Sequence, residues 1–212
     1  MRKMLEIGGI LAAVVLVAFG IATIVMGANG RSTVNSNVAE QKIVGTPDMT
    51  PGGIKAQAAK SGLNVATLTI PTCSAANKRV EDGASARCFA QYMKIHALEA
   101  TGGQVYSQMP RYATANGKGT DVEALALKAG GKAVPNQARE VWVQETALST
   151  ALNTSYMASQ ISLFGIVVGI ALLLAGLGFG ILAVGGALRN RDSALAHLQS
   201  NGSATGASHT TA

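Results

Sequence analysis

His96 and Glu99 stand three residues apart. That spacing puts an imidazole and a carboxylate on one side of a helix, where they could form half of a metal site or an acid–base pair. The pattern is short, and a packed or solvated pair satisfies it as well. Cys73 and Cys88 are the only cysteines; with no CxxC and no Cys/His cluster beside them, they read as a disulfide rather than as metal ligands. The loop so closed has about 16 residues, worth roughly 3 kcal/mol through chain entropy, and requires an oxidising compartment. Gly117-Lys118-Gly119-Thr120 has a passing likeness to a phosphate loop. It lacks the glycine five residues ahead of a Lys-Ser/Thr pair and follows no hydrophobic strand, so it reads as a turn. Arg111, between Pro110 and Tyr112, is placed to meet an anion, with Tyr106 able to line the same place; a loop arginine satisfied by its neighbours is the simpler reading. No Ser or Cys nucleophile can be matched to a base. These residues give no catalytic set, no cofactor and no metal site, and a non-enzymatic role is expected.

The elements that must position these groups are dominated by apolar helix. Ile161 to Leu188 is uncharged throughout and ends at Arg189 and Arg191. A hydrocarbon core of roughly 30 Å needs about 20 apolar residues in a helix, because only a helix satisfies its own backbone in lipid. Residues 161–188 are therefore read as a membrane span. A second uncharged run, residues 7–30, lies between Arg2-Lys3 and Arg31; it exceeds the apolar core of a signal peptide and ends in no clear A-x-A site, so it reads as a first span. Neither span has an ionisable residue in its interior, which argues against a proton relay or ion transporter.

Glycines in the second span are in phase. At 100° per residue Gly165, Gly169, Gly176, Gly180 and Ala183 fall within about 60° of arc, forming one small-residue groove that contains GIVVG and GLGFG. Helices associate in lipid through such close approach. Gly9/Ala13 and Ala18/Ala22 put small residues four apart on the first span, so the groove can be filled within the chain or by another chain.

Charge near the span ends sets orientation. Arg2 and Lys3 before the first span, and Arg189 and Arg191 after the second, place both termini in the cytoplasm and the intervening segment outside a plasma membrane. That segment, from Arg31 to Glu145, carries 13 Lys and Arg against 9 Asp and Glu, a balance of +4 that does not suit a nucleic-acid surface.

The expected fold is mainly α: two transmembrane helices in a hairpin topology, a small, mostly helical extracytoplasmic domain between them, and a long second helix extending out of the membrane. In order, 1–6 is a cytoplasmic N-terminus, 7–30 the first span, 31–137 the outer domain, 138–160 a helical stalk, 161–188 the second span and 189–212 a disordered cytoplasmic tail. Thr50-Pro51 caps a helix that stops at Gly62. Asn64 to Ile70 alternates and reads as a short strand or extended segment. A helix over 84–101 stops at Gly102-Gly103, and a short one is expected over 121–128. Pro135-Asn136 opens a helix of about fifty residues, roughly 75 Å, that runs into the second span. On it Val141, Leu148, Leu152 and Tyr156 form a stripe for the small domain, and Trp142 reads as core.

The opening MRKMLEIGGI, the segments ALEATGG and MPRYATA, and TALNTSYMA followed by QISLFGIVVG carry a likeness. Through them the chain, taken whole, resembles a family of uncharacterised two-span membrane proteins of actinobacteria. It covers nearly the whole chain up to the tail and implies a membrane anchor without a mechanism. Some members are named as aromatic ring-opening dioxygenases, which implies a non-haem iron held by two histidines and a carboxylate. Here His96 is the one histidine of the central segment, while His197 and His209 fall in the tail, across the membrane in the topology above. The triad does not assemble within one chain, and that activity is not expected.

Three roles remain. The first is an envelope interaction or accessory subunit, with the lipid bilayer and a protein or a second copy as partners. The second is an oligomeric pore or sensor assembled through the glycine groove, and the third an extracytoplasmic enzyme or metal binder using His96 and Glu99.

Overall fold

The computed structural model describes residues 2–185. Expectations on Arg189, Arg191, His197, His209 and the tail lie outside the described residues. The described chain divides into two compact units, one of residues 2–28 and 162–185, the other of residues 29–161. Both are built on two long helices, α1 (Arg2–Glu40) and α4 (Gln137–Val184), which are long and apolar enough to cross a membrane.

In the first unit the usual arrangement of side chains is inverted. Bulky groups such as Leu11, Val14, Phe19, Phe164, Leu174 and Ile181 are exposed, whereas Ala13, Gly20, Gly27, Gly169, Gly176 and Ala183 are buried between the helices. Such a pair keeps small residues at the seam and apolar bulk for lipid.

The second unit has its own core, made by Val38 of α1, Ile54 and Ala58 of α2 (Pro51–Lys60), Phe89, Tyr92 and Ile95 of α3 (Gly83–Ala100), and Leu152 of α4. Leu148 packs on this core. Val141 packs on a second cluster of Ala97, Met109 and Trp142. Trp142 is buried, and its Nε1 donates to Gln104 O at 2.8 Å. The stripe read along α4 is therefore a contact face, completed by Tyr156 under the Arg87 guanidinium at 4.5 Å.

Local chemistry explains most helix ends. Thr50 Oγ1 accepts from Gly53 N at 2.9 Å, and Gly62 lies at φ +77° beyond α2. Asp82 and Ser85 form a reciprocal capping box, so α3 starts at Gly83, one residue before the expected position. Asn136 Oδ1 accepts from Ala138 N at 3.1 Å and opens α4.

Helix α1 continues past the apolar run of residues 7–30 to Glu40, because no Pro or Gly interrupts residues 31–40 and Val34 and Val38 give it a face on the core. Two expectations need correction. The stretch from Asn64 to Ile70 is not a strand. Asn64 Oδ1 accepts from Ala66 N, a local turn that outcompetes extension and sets a 3₁₀ turn at Val65–Thr67. The short helix over 121–128 reduces to a 3₁₀ turn at Glu123–Leu125. Lys128 instead belongs to a hairpin of β1 (Lys128–Ala129) and β2 (Lys132–Ala133), turned by Gly130 and Gly131 at φ +58° and +78°.

Candidate functional site

The groove of α4 is occupied by α1. A Cβ built on Gly169 would lie 2.6 Å from Ile24 Cγ1 and 2.7 Å from Gly20 O; one on Gly176 would lie 2.9 Å from Val17 Cγ2 and 3.0 Å from Ala13 O. On the facing helix, Gly20 meets Gly169 and Leu173, and Gly27 meets Ser162 and Ile166. Gly165 and Gly180 are looser, with their nearest neighbours, Thr23 and Ala13, at 3.8 and 3.7 Å, and Gly9 faces Ala183. Contact partners descend along α1 as they ascend along α4.

The tight positions recur every seven residues, at Ala13, Gly20 and Gly27 on one helix and Ser162, Gly169, Gly176 and Ala183 on the other. That is the 3.5-residue period of a left-handed pair rather than the four-residue step of a GxxxG crossing. Of the pairs read on the first span, Gly9 and Ala13 lie on this seam, but Ala18 and Ala22 are exposed. Gly20 and Gly27 share the seven-residue period and not a four-residue one.

In the second unit Cys73 and Cys88 are joined, with Cα atoms 6.1 Å apart, tying the loop before α3 to its second turn. The Tyr92 hydroxyl donates to Cys73 O across the same junction.

His96 and Glu99 do project from α3, but the imidazole has another partner. His96 Nε2 lies 2.7 Å from Asp48 Oδ2, both side chains about one quarter exposed, linking α3 to the turn before α2. Burial pushes the Asp48 carboxyl up. Hydrogen bonds from Thr46, His96 and its own backbone outweigh that, helped by the His96 charge, and hold it below its ordinary value. Glu99 is held above its ordinary value by burial first, with repulsion from Asp48 added, against the His96 charge and a Gln57 hydrogen bond. Its Oε1 is buried without a partner. Among the described residues the hydrogen-bond partner of the His96 ring is Asp48, and no group of three His, Cys, Asp or Glu is arranged to hold a metal. Two carboxylates and one imidazole do not fit the two-histidine iron set that the resemblance implied.

Gly117 and Gly119, at φ +73° and +72°, make the turn read from the sequence. Arg111 is bonded by its neighbours: its Nη2 donates to Asp121 O at 2.9 Å, and Asp121 Oδ1 accepts from its backbone N. Tyr106 does line the same recess.

Set against protein-family models, curated proteins and solved structures, the chain matches nothing in any of the three.

Proposed function

We propose that this chain is a non-enzymatic, two-pass protein of the plasma membrane, an accessory or interaction subunit that holds a disulfide-stapled helical domain on the outer side. In this reading α1 and α4 form a transmembrane hairpin with both termini cytoplasmic, and residues 29–161 present a folded surface to a protein partner. The observation that carries it is the glycine seam. Gly169 and Gly176 face Gly20, Ile24, Ala13 and Val17 of the same chain, which supports an anchor whose two helices pair within one chain. Pairing within the chain favours this reading over a pore or sensor built through that groove. The Cys73–Cys88 bond favours the oxidising side for the polar unit, in agreement with the charges at the span ends.

The test is gentle extraction of the native protein, co-purification and native mass measurement, together with mass-shift labelling of Cys73 and Cys88 in intact cells. A complex with a different protein at fixed stoichiometry, and labelling in intact cells only after reduction, support the proposal. A homo-oligomer that disperses when Gly169 and Gly176 are both changed to Leu would support the pore instead. A lone monomer, or thiols reached only after lysis, would overturn the reading.

A further inference from the structure

Two neighbouring recesses of the second unit share one side chain, Tyr106. The first, of about 240 Å³, is polar and is walled by Arg111, Tyr112, Asn136, Arg139 and Glu140 beside Tyr106. The second, of about 500 Å³, is apolar and runs along α4 past Trp142, Val143, Thr146, Ala147 and Thr150.

The polar recess is firmly framed. Asn136 N donates to Arg111 O at 3.0 Å and Asn136 Nδ2 to Pro110 O at 2.9 Å, so the loop bearing Arg111 is fastened to the start of α4. Its two guanidinium groups are not equivalent. Arg111 is engaged with Asp121, at 3.5 Å from Oδ1. Arg139 lies over the Tyr106 ring at 4.0 Å and makes no ion pair with a carboxylate among the described residues. Stacking on an aromatic face leaves the edge donors of a guanidinium available for an oxyanion. With Asp121 on Arg111 and Glu140 in the wall, two guanidinium groups face two carboxylates, so the free edge donors of Arg139, rather than a net positive field, would hold an anion; this suits a single anionic group and not a polyanion.

The apolar recess supplies the other half. Val143 is half exposed and Tyr106 nearly so. An apolar recess beside an arginine with no ion pair among the described residues fits a ligand with the same two parts.

We infer that Arg139 and Arg111, joined through Tyr106 to the apolar face of α4 at Trp142, Val143 and Ala147, form a binding site for a single-chain anionic amphiphile, its carboxylate or phosphate in the polar recess and its hydrocarbon chain along the helix. This goes beyond the proposed role as an accessory subunit and does not depend on it, since it concerns only side chains within residues 106–150.

Trp142 is the only tryptophan of the chain and lines the apolar recess, so its fluorescence reports occupancy directly. The full-length protein in a neutral sugar detergent is titrated with octanoate, octyl phosphate, octanol, acetate and inorganic phosphate. The expected result is saturable change with octanoate or octyl phosphate, at least about tenfold weaker binding of octanol, acetate and inorganic phosphate, and a loss of roughly tenfold or more for Arg139→Gln. Tighter octyl phosphate identifies a phosphate head, tighter octanoate a carboxylate. Val143→Asn, at a half-exposed position that leaves the core intact, should weaken the octyl compounds while acetate stays as weak as before. Octanol binding as tightly as octanoate, or Arg139→Gln leaving octanoate and octyl phosphate unchanged in a folded protein, would overturn the site.

Discussion

Gly20 and Gly169 leave each other no room for a side chain: a Cβ on Gly20 would lie 2.8 Å from Gly169 O, and one on Gly169 would lie 2.7 Å from Gly20 O. The obstacle on both sides is backbone, which cannot swing away as a rotamer can. Gly169→Ala and Gly176→Ala are therefore expected to destabilise the helix pair by about 1–3 kcal/mol each. Gly165→Ala and Gly180→Ala, whose neighbours stand at ordinary contact distance, should leave it within about 0.5 kcal/mol. Thermal unfolding of the four variants in one detergent separates the alternatives. Equal loss at all four would mean that a four-residue GxxxG face, and not the seven-residue seam, holds the pair.

The same logic applies to Gly83, at the start of α3. A Cβ there would meet Ser159 Cβ at 2.8 Å and Tyr156 Cα at 2.9 Å on α4. Gly83→Ala should cost about 1–3 kcal/mol, whereas Gly52→Ala, in the first turn of α2 with nothing within 4 Å, should cost nothing. Ser159 Oγ is buried without a hydrogen-bond partner, so Ser159→Ala should be neutral or stabilising on its own and should recover part of the Gly83→Ala loss. A double-mutant cycle on unfolding temperature measures that coupling. Strictly additive changes would mean that the two positions are not in contact.

How far the sequence alone reaches can be traced residue by residue. The two apolar helices, the Thr50 cap, the Cys73–Cys88 pair and the face of α4 that bears Leu148, Leu152 and Tyr156 are all legible, because each is a local pattern or a simple count. The continuation of α1 to Glu40 has a local cause too, since residues 31–40 contain no breaker. Gly20 and Gly27 stand seven apart, a spacing outside the four-residue pattern of GxxxG. The Asp48–His96 contact is different in kind. It joins residues 48 positions apart and carries no local signal, so His96 reads as a partner for Glu99 until the packing of α2 on α3 is known. The join between the Arg139 recess and the Val143 face likewise depends on where the loop brings Tyr106.

Reduction should expose how much the small core relies on its staple. The Cys73–Cys88 bond closes a sequence separation of 15, for which loop entropy gives about 3 kcal/mol, a large share of the stability of a domain this size. Cys73→Ser with Cys88→Ser should lower the unfolding temperature and increase protease cleavage between residues 60 and 82, where few backbone groups are held by helix. Limited proteolysis with and without reductant checks this. Identical digestion patterns would show that Tyr92, through its hydrogen bond to Cys73 O, holds the junction unaided.

Glu99 and Asp48 should bend the pH dependence of stability in opposite directions. Burial, with the Asp48 charge, raises Glu99 above its ordinary 4.5, so the unfolded chain ionises first. Stability is therefore lost as pH rises from 4.5 through the raised value, and the cost persists at neutral pH. Asp48 lies below its ordinary 3.8 in the fold, burial being outweighed by its hydrogen bonds and by His96. Its contribution is complete above 3.8 and disappears as pH falls through the lower folded value. Glu99→Gln should consequently stabilise the protein at pH 7 and give a gain that shrinks towards zero below pH 4.5. Asp48→Asn should destabilise at pH 7, with a loss that shrinks only in stronger acid. Unfolding temperature measured from pH 3 to pH 8 for the two variants tests both signs. A Glu99→Gln variant less stable than the parent at pH 7 would mean that the carboxylate is stabilised as an anion beside His96, and that its unpartnered oxygen is not a cost to the fold.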